Sequence, residues 1–466
     1  MNAKAAAFFL VPAIAAGLLA SPLRGHIDDT DAQLYAVLAR NMAARKAWLE
    51  PGPAPSEVGP FREHLPFGLW PFVAATRALG EGAQPFCALA FSLGTVALTL
   101  WLGQRLASLR AGIAAALLLA CTETFFLYGA RPRLDPLLVL LSLCAAAPAL
   151  LGASPAWAAL FGAGAVLVKG PFGLVPLFGA GVARALLERS PRELLRWSSV
   201  LALVALLPLA GLLWDRAHGG SWWQGYLHSQ LFASATGRRP DGETSALFPL
   251  RTIAGRCWPA LPFVLLGVAQ ALPLRLPRAL QPAPRARASL NLLALACALG
   301  LGALALPQRK VWNHALVLYP LLALMGGVAL EALLQRLPER GFRIALPLLA
   351  VLAWAGFALG LGPFLLRPPC VLSREFRPQL ASLLPGTPIL LVSAGPEWTT
   401  LVGLEEEHRL SPWTAAALPA AAATEEPGRA GERSRARWAL ARHLDGPAPA
   451  PWSAVAQARG WILLRR

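Results

Sequence analysis

The sequence predicts an all-α polytopic membrane protein that ends in a small α/β domain, and three observations carry this prediction. Hydrophobic residues make up 56% of the 466 residues, whereas charged residues make up only 14%. Because a soluble domain carries about 25% charged residues, too few polar side chains remain here to cover a water-exposed surface. Long apolar runs recur along the chain, and short strand-like runs in mixed polar sequence follow the last of them.

A membrane-spanning helix needs about 20 mostly apolar residues, and about eleven runs approach that length. The first run also fits a cleaved signal peptide. Its charge pattern continues into the later runs, which favours a retained helix. The predicted spans are 5–23, 84–104, 112–129, 135–152, 156–173, 174–188, 198–214, 257–273, 290–306, 314–334 and 343–365.

The positive charge of the chain follows this topology. There are 42 Lys+Arg against 25 Asp+Glu, a formal net charge of +17. If the amino terminus is cytoplasmic, the basic loops at 105–110, 189–196, 275–287 and 336–343 all fall inside, as the positive-inside rule requires. The excess therefore calls for no nucleic-acid partner and indicates a multi-pass protein in contact with membrane lipids.

The same alternation predicts two domains. Residues 1–366 form the transmembrane domain, with large outer loops at 24–83 and 215–256. Residues 367–466 form a small α/β domain on the outer side of the membrane, around the strand-like runs PILLVSA and GWILLRR.

Ionisable residues gather at the outer ends of the predicted spans. Such groups are costly at membrane depth and mark functional sites. Lys169 is a candidate functional residue because it lies in an apolar segment of a chain that has only four lysines. Arginine and lysine hold phosphate by charge-assisted hydrogen bonds, apolar grooves suit a lipid tail, and a carboxylate can accept a proton from an acceptor. We therefore expect group transfer from a lipid-phosphate donor at the outer boundary of the membrane. The segments are HIDDTDAQLYAVLARNM, FREHLPFGLW, GARPRLDP, GAVLVKGPFG, WWQGYLHSQLF and ALPQRKVWNHALVLYP.

These ordered landmarks resemble the polytopic GT-C glycosyltransferases that use polyprenyl-phosphate sugars, the protein O-mannosyltransferase and lipid A aminoarabinose transferase relatives. The resemblance runs from the first span to about residue 335. It implies an inverting glycosyltransferase that takes a monosaccharide from undecaprenyl or another polyprenyl phosphate. The implied acceptor is lipid A or another envelope glycolipid, and the implied active site faces the periplasm.

The resemblance also implies catalytic roles. Asp31, before Tyr35, matches the essential acid of the first outer loop, although Ala32 stands where relatives often have glutamate. Glu63 is retained from the family's Glu-Lys-Pro-Pro, and His64 replaces its lysine.

Further along the chain, Asp135 matches an acid of an Arg-x-x-Asp region, and His228 matches a histidine that joins Glu63 around a divalent metal in some relatives. This chemistry requires no cofactor, and the divalent metal at Glu63 and His228 is optional. The basic residues expected to hold the donor phosphate are Lys169, Arg131, Arg133, Arg309 and Lys310.

Other interpretations stay open. Asp31 and Asp135 both fit helix-capping positions, Lys169 fits a snorkelling lysine, and Arg131 and Arg133 fit head-group anchors. A lipid-linked sugar flippase would also place charges at membrane depth, but nearer the midplane. Within the enzyme class a protein O-mannosyltransferase is the alternative, and Ala32 and His64 leave room for a non-catalytic binder of lipid-linked sugar.

Overall fold

A computed structural model describes most of the chain up to residue 358 and short parts of the tail. Portions of the predicted outer loops, of the basic loops at 275–287 and 336–343, and most of the predicted domain 367–466 lie outside the described residues. The described residues are 3–21, 30–49, 51, 61, 63–217, 222–238, 242–274, 277, 280–335, 338–358, 376, 379–380, 382–384, 387–392, 411–415, 437–442, 452–458 and 461–465.

Helices dominate the described residues. Short 3-10 turns at Pro66–Gly68, Glu81–Ala83, Pro171–Leu174 and Trp312–Leu318 and a π-helix at Leu227–Phe232 connect or extend them. The α-helices are α1 Ala3–Ala20, α2 Thr30–Arg45, α3 Trp70–Leu79, α4 Gln84–Leu106, α5 Leu109–Cys121, α6 Glu123–Tyr128, α7 Leu134–Leu151, α8 Pro155–Lys169, α9 Val175–Leu187, α10 Pro191–Ala205, α11 Leu207–Ala217, α12 Trp222–Tyr226, α13 Ala233–Ala235, α14 Phe248–Arg256, α15 Leu261–Ala271, α16 Pro284–Ala305, α17 Tyr319–Ala329, α18 Glu331–Leu334 and α19 Glu339–Ala358.

The expectation of a multi-pass helical membrane protein is confirmed. Five helical segments among the described residues are long and apolar enough to cross a membrane: Glu81–Leu106, Leu134–Leu151, Pro191–Ala217, Pro284–Ala305 and Trp312–Ala329. Each remaining predicted span overlaps a shorter apolar helix, so its crossing stays a prediction. The predicted span 112–129 is interrupted, because Thr122 adopts an extended conformation between α5 and α6.

The chain divides into two compact units. The first comprises Met1–Gly25, Arg62–Pro71 and Gly82–Leu365. The second comprises His26–Phe61, Phe72–Glu81 and Leu366–Arg466, so part of the first predicted outer loop is grouped with the tail.

The second unit contains a five-stranded mixed sheet in the order β2-β1-β3-β5-β4. The pairs β1–β2 and β1–β3 are parallel, whereas β3–β5 and β4–β5 are antiparallel. Its core contains Phe376, Leu380, Ile389, Leu440 and Leu463. The strands are β1 Pro388–Val392, β2 Ser411–Ala415, β3 Trp438–Arg442, β4 Ser453–Ala458 and β5 Trp461–Arg465.

Helix α7 organises the packing of the first unit, because α4, α8 and α9 all lie against it. Ser154 caps the start of α8 by accepting a hydrogen bond from the backbone N–H of Ala156 (3.3 Å), and Pro155 occupies its first position. The tight α7–α8 hairpin therefore places the beginning of α7 beside the end of α8.

Candidate active site

A buried ion cluster joins the beginning of α7 to the end of α8. One carboxylate oxygen of Asp135 accepts a hydrogen bond from Lys169 Nζ at 2.9 Å, and the other accepts one from Arg133 Nε at 3.0 Å. The three side chains are only 2–4% exposed. Two cations share one carboxylate, so this trio carries a net charge of +1 away from water.

Helix ends favour this arrangement. Asp135 lies in the first turn of α7, where backbone N–H groups attract negative charge, and Lys169 is the last residue of α8, where carbonyl groups attract positive charge. The pairing of two helix termini thus fixes the position of each charge.

The corner after Lys169 has a backbone that only glycine adopts easily. Gly170 has φ +83° and ψ −163°, and a Cβ added there would overlap the hydroxyl of Tyr226. Tyr226 is 3% exposed, and burial raises the pKa of its phenol above the ordinary value, so the hydroxyl stays protonated. A neutral hydroxyl donor therefore lies one residue from Lys169.

Two contacts hold the Tyr226 segment in place. The buried carboxylate of Asp215 accepts a hydrogen bond from the backbone N–H of Trp223 at 2.6 Å. Leu65 packs with Trp223, Tyr226 and Leu227 in one apolar cluster. The segment that follows Glu63 and the segment that precedes His228 are thereby brought together.

The predicted residues Glu63 and His64 are next to this cluster in sequence. Both are half-buried and directly precede Leu65, whereas His228 is exposed within the π-helix. A Cβ at Gly68 would meet Leu134 and Val168, the neighbours of Asp135 and Lys169. The Glu63–Gly68 stretch therefore leads to the backbone beside the ion cluster.

Arg131 lies on the same turn as Arg133. Its side chain is buried, and its guanidinium carbon lies 5.3 Å from the ring centre of Tyr128. The corresponding distance for Arg133 is 4.3 Å.

Arg309 and Lys310 hold a neighbouring loop. Arg309 donates to the carbonyls of Gly237 and Gly242 at 3.3 and 3.2 Å, and Lys310 Nζ donates to the carbonyl of Thr244 at 3.1 Å. The backbones of Lys310 and Glu243 also exchange two hydrogen bonds. Phosphate binding by this basic pair stays a prediction.

An aromatic contact connects this region to the Lys169 corner. Phe172 stacks on His314 with ring centres 3.7 Å apart and planes 24° apart. Both rings line a cleft with Arg309, Lys310 and Trp312. The cleft offers flat apolar faces beside cationic groups.

Asp31 and Tyr35 lie in the second unit. Asp31 is half-buried in the first turn of α2, and Tyr35 is buried with its ring edge towards Phe61 at 6.3 Å. Their predicted catalytic roles stay predictions.

The predicted metal pair does not form a complete ligand set. Among the residues that the structure describes, no group of three or more His, Cys, Asp and Glu side chains is placed to hold a metal ion. Glu63 and His228 alone do not define a site, since structural and catalytic zinc sites have at least three protein ligands.

Two residues of this region escaped sequence reasoning. Tyr128 and Tyr226 both contact the surroundings of the ion cluster, yet Tyr128 directly precedes the landmark GARPRLDP, and Tyr226 lies within WWQGYLHSQLF without being singled out there. Their rarity is the available signal: the chain has four tyrosines, as it has four lysines.

Three solved structures have folds similar to that of this chain. ArnT from Cupriavidus metallidurans bound to undecaprenyl phosphate has a TM-score of 0.70 at 17% identity, covering 99% of this chain and 98% of that one; its apo state gives 0.62 at 15%, covering 99% and 96%. The apo oligosaccharyltransferase of Archaeoglobus fulgidus gives 0.52 at 13%, covering 94% and 69%.

No family model matches the sequence, and no curated protein matches it. The likeness is therefore one of structure, and it confirms the resemblance expected from the landmarks: the chain has the fold of the GT-C glycosyltransferases.

Proposed function

We propose that the protein is an inverting glycosyltransferase of the bacterial inner membrane. It transfers a monosaccharide from undecaprenyl phosphate, or another polyprenyl phosphate, to lipid A or another envelope glycolipid on the periplasmic side. The ArnT fold supports this proposal, since the matched ArnT structure is bound to undecaprenyl phosphate. The proposed topology has about eleven spans in residues 1–366 and a small periplasmic α/β domain in residues 367–466.

The observation that carries the proposal is the buried Arg133–Asp135–Lys169 cluster. Its net positive charge has little water around it, so an anionic ligand would meet a strong local field. The phosphodiester donor becomes a phosphate monoester when the sugar leaves, and its negative charge increases. Cations preorganised at that position therefore favour departure of the lipid phosphate.

The bond changes follow from this arrangement. The acceptor oxygen attacks the anomeric carbon from the face opposite the lipid phosphate, forms the new C–O bond, and displaces the phosphate oxygen. If the acceptor is a hydroxyl, its proton passes to Asp31. If the acceptor is a phosphate, as on lipid A, it is already ionised and needs only to be positioned.

Asp135 has a different role from Asp31. Its carboxylate is held by two cations, which makes it a poor proton acceptor. We assign it to positioning Lys169 and Arg133, with Arg131 beside them. Glu63, His64, Tyr35 and His228 remain proposed site residues, with acceptor contacts as their expected role.

The test is sugar transfer by the purified full-length protein. Undecaprenyl-phosphate aminoarabinose and lipid A are incubated with the enzyme in detergent, and modified lipid A is quantified by mass spectrometry. We expect Lys169→Ala and Asp31→Asn each to lower turnover at least about tenfold, the usual scale for losing charge stabilisation or a general base.

Lys46→Ala is the matched control, because Lys46 is exposed on α2's carboxyl-terminal side. Turnover by Lys169→Ala at the wild-type rate would refute the site assignment. If lipid A is not modified, polyprenyl-phosphate mannose with a peptide acceptor tests the O-mannosyltransferase alternative. Mass spectrometry of envelope glycans from a deletion strain tests both activities in the cell.

A further inference from the structure

The basic side chains beside the ion cluster rest on an aromatic ring. Tyr128 ends α6, and the following turn is closed by hydrogen bonds from Arg131 N to Tyr128 O (3.1 Å) and from Arg133 N to Arg131 O (2.6 Å). This turn carries both guanidinium groups back to the ring of Tyr128, at 5.3 Å for Arg131 and 4.3 Å for Arg133. Both distances lie within the range of cation–π attraction.

A second ring extends the arrangement. The rings of Trp312 and Tyr128 have centres 5.5 Å apart with planes 33° apart, and Arg256 lies 4.4 Å from the Trp312 ring centre. The Arg256 side chain is 38% exposed, whereas that of Arg133 is 4% exposed. We call Arg256, Trp312, Tyr128 and Arg133 the cation–ring stack; it runs from the surface to the buried cluster.

The choice of a ring as the support for a buried cation has a chemical consequence. A carboxylate partner cancels the charge of a cation and occupies its N–H groups. A ring face attracts the same cation through its quadrupole and leaves the net charge unchanged. Arg133 has both kinds of partner, since its Nε donates to Asp135 at 3.0 Å and its guanidinium lies over the ring of Tyr128. Arg131, which is also buried, lies over the same ring.

We propose that Tyr128 is a positioning residue whose ring face holds Arg131 and Arg133 for the lipid phosphate, and that Trp312 supports the Tyr128 ring. The proposal rests on the proposed function, because the anion is the phosphate of the donor or product lipid. The ring face of Tyr128 is the essential feature, and its hydroxyl is not.

The test compares a ring with an aliphatic side chain at the same position. Tyr128→Phe keeps the ring face, whereas Tyr128→Leu keeps apolar bulk without it. Binding of undecaprenyl phosphate to the full-length protein in detergent is measured by calorimetry. We expect Tyr128→Leu to raise Kd about tenfold, as the loss of two cation–π contacts implies, and Tyr128→Phe to stay within about threefold of wild type.

Phe125→Leu is the control, since Phe125 is a buried ring on the same helix and has no cation contact among the described residues. In sugar transfer, Tyr128→Leu should raise the donor KM more than it lowers kcat. Trp312→Leu provides a second variant, with a smaller expected increase in Kd, in case Tyr128→Leu does not fold.

Equal binding by Tyr128→Leu and Phe125→Leu would overturn the inference, and so would equal loss in Tyr128→Phe and Tyr128→Leu. Lys169→Ala separates this failure from failure of the proposed function. If Lys169→Ala weakens binding while Tyr128→Leu and Trp312→Leu do not, only the positioning role is wrong. If Lys169→Ala binds undecaprenyl phosphate like wild type, the proposed phosphate site itself is wrong.

Discussion

The two ends of α7 use basic side chains in opposite ways. At its beginning, Arg133 and Lys169 are almost fully buried and share the carboxylate of Asp135. At its far end, Arg184 donates to the carbonyl of Ala149 at 3.1 Å, and Arg196 donates to the carbonyl of Ala153, just beyond the helix, at 2.7 Å.

The cations at the far end also have acids of their own. Arg184 pairs with Glu188 at 2.6 Å and Arg196 with Glu193 at 3.0 Å, one acid for each cation. These arginine side chains are 22% and 31% exposed. Partly hydrated ion pairs cap a helix, whereas a buried carboxylate shared by two cations suits a site for an anionic ligand. Burial and charge balance, rather than residue type, separate the two roles.

The largest expected difference between the two ends concerns their acids. Asp135→Ala leaves two buried cations without their shared carboxylate, and breaking a buried pair costs about 3–5 kcal/mol. Glu188→Ala removes the partly exposed partner of Arg184 and should cost roughly 1 kcal/mol or less. SDS is titrated into each variant in mild detergent, and unfolding is monitored by circular dichroism. The two titrations give the difference in the free energy of unfolding. Equal losses of stability would mean that the Asp135 cluster contributes no more to the free energy of unfolding than the ion pairs at the far end of α7.

The sequence predicted the helices better than the site. Apolar runs such as 135–152 and 84–104 reappear as α7 and α4, because membrane thickness sets helix length independently of tertiary contacts. It also indicated Lys169 and Asp135 as separate candidate site residues, and it did not indicate that they form a pair. Their direct pairing across 34 positions depends on how α7 and α8 pack, which no local pattern encodes.

The contacts around the site could not be predicted from the sequence for the same reason. Tyr226 reaches Gly170, and Lys310 reaches Thr244, only through tertiary folding. A basic pair before an apolar run therefore looks alike in sequence whether it binds phosphate or loop carbonyls.

Two glycines provide the second comparison, since each ends a helix at one end of the α7–α8 hairpin. Gly170 has a backbone that costs other residues about 1–3 kcal/mol, and a Cβ there overlaps the buried hydroxyl of Tyr226. Gly152 has φ +70° and ψ 29°, where alanine costs about 1–2 kcal/mol. Its added Cβ would meet only the movable end of Arg184. We therefore expect Gly170→Ala to lower stability and turnover more than Gly152→Ala.

A double variant separates overlap from backbone strain at Gly170. Tyr226→Phe removes the hydroxyl that the new methyl group meets, and the next ring atom lies at 3.3 Å. Gly170→Ala combined with Tyr226→Phe should recover part of the lost thermal stability while the backbone cost remains. A double variant no more stable than Gly170→Ala alone would contradict the close Tyr226 contact.

The smallest effect is expected from the far end itself. Glutamine at positions 184 and 196 keeps an N–H donor for a carbonyl but removes the positive charge, so Arg184→Gln with Arg196→Gln tests whether charge matters there. Because the lost ion pairs are partly hydrated, we expect each to cost about 1 kcal/mol or less of stability, and we expect turnover to stay close to that of wild type. Kinetics at saturating donor give the turnover, and the SDS titration gives the stability. A tenfold loss of turnover at unchanged stability would show that cations at both ends of α7 serve the reaction, and the contrast between a capping end and an anion-binding end would fail.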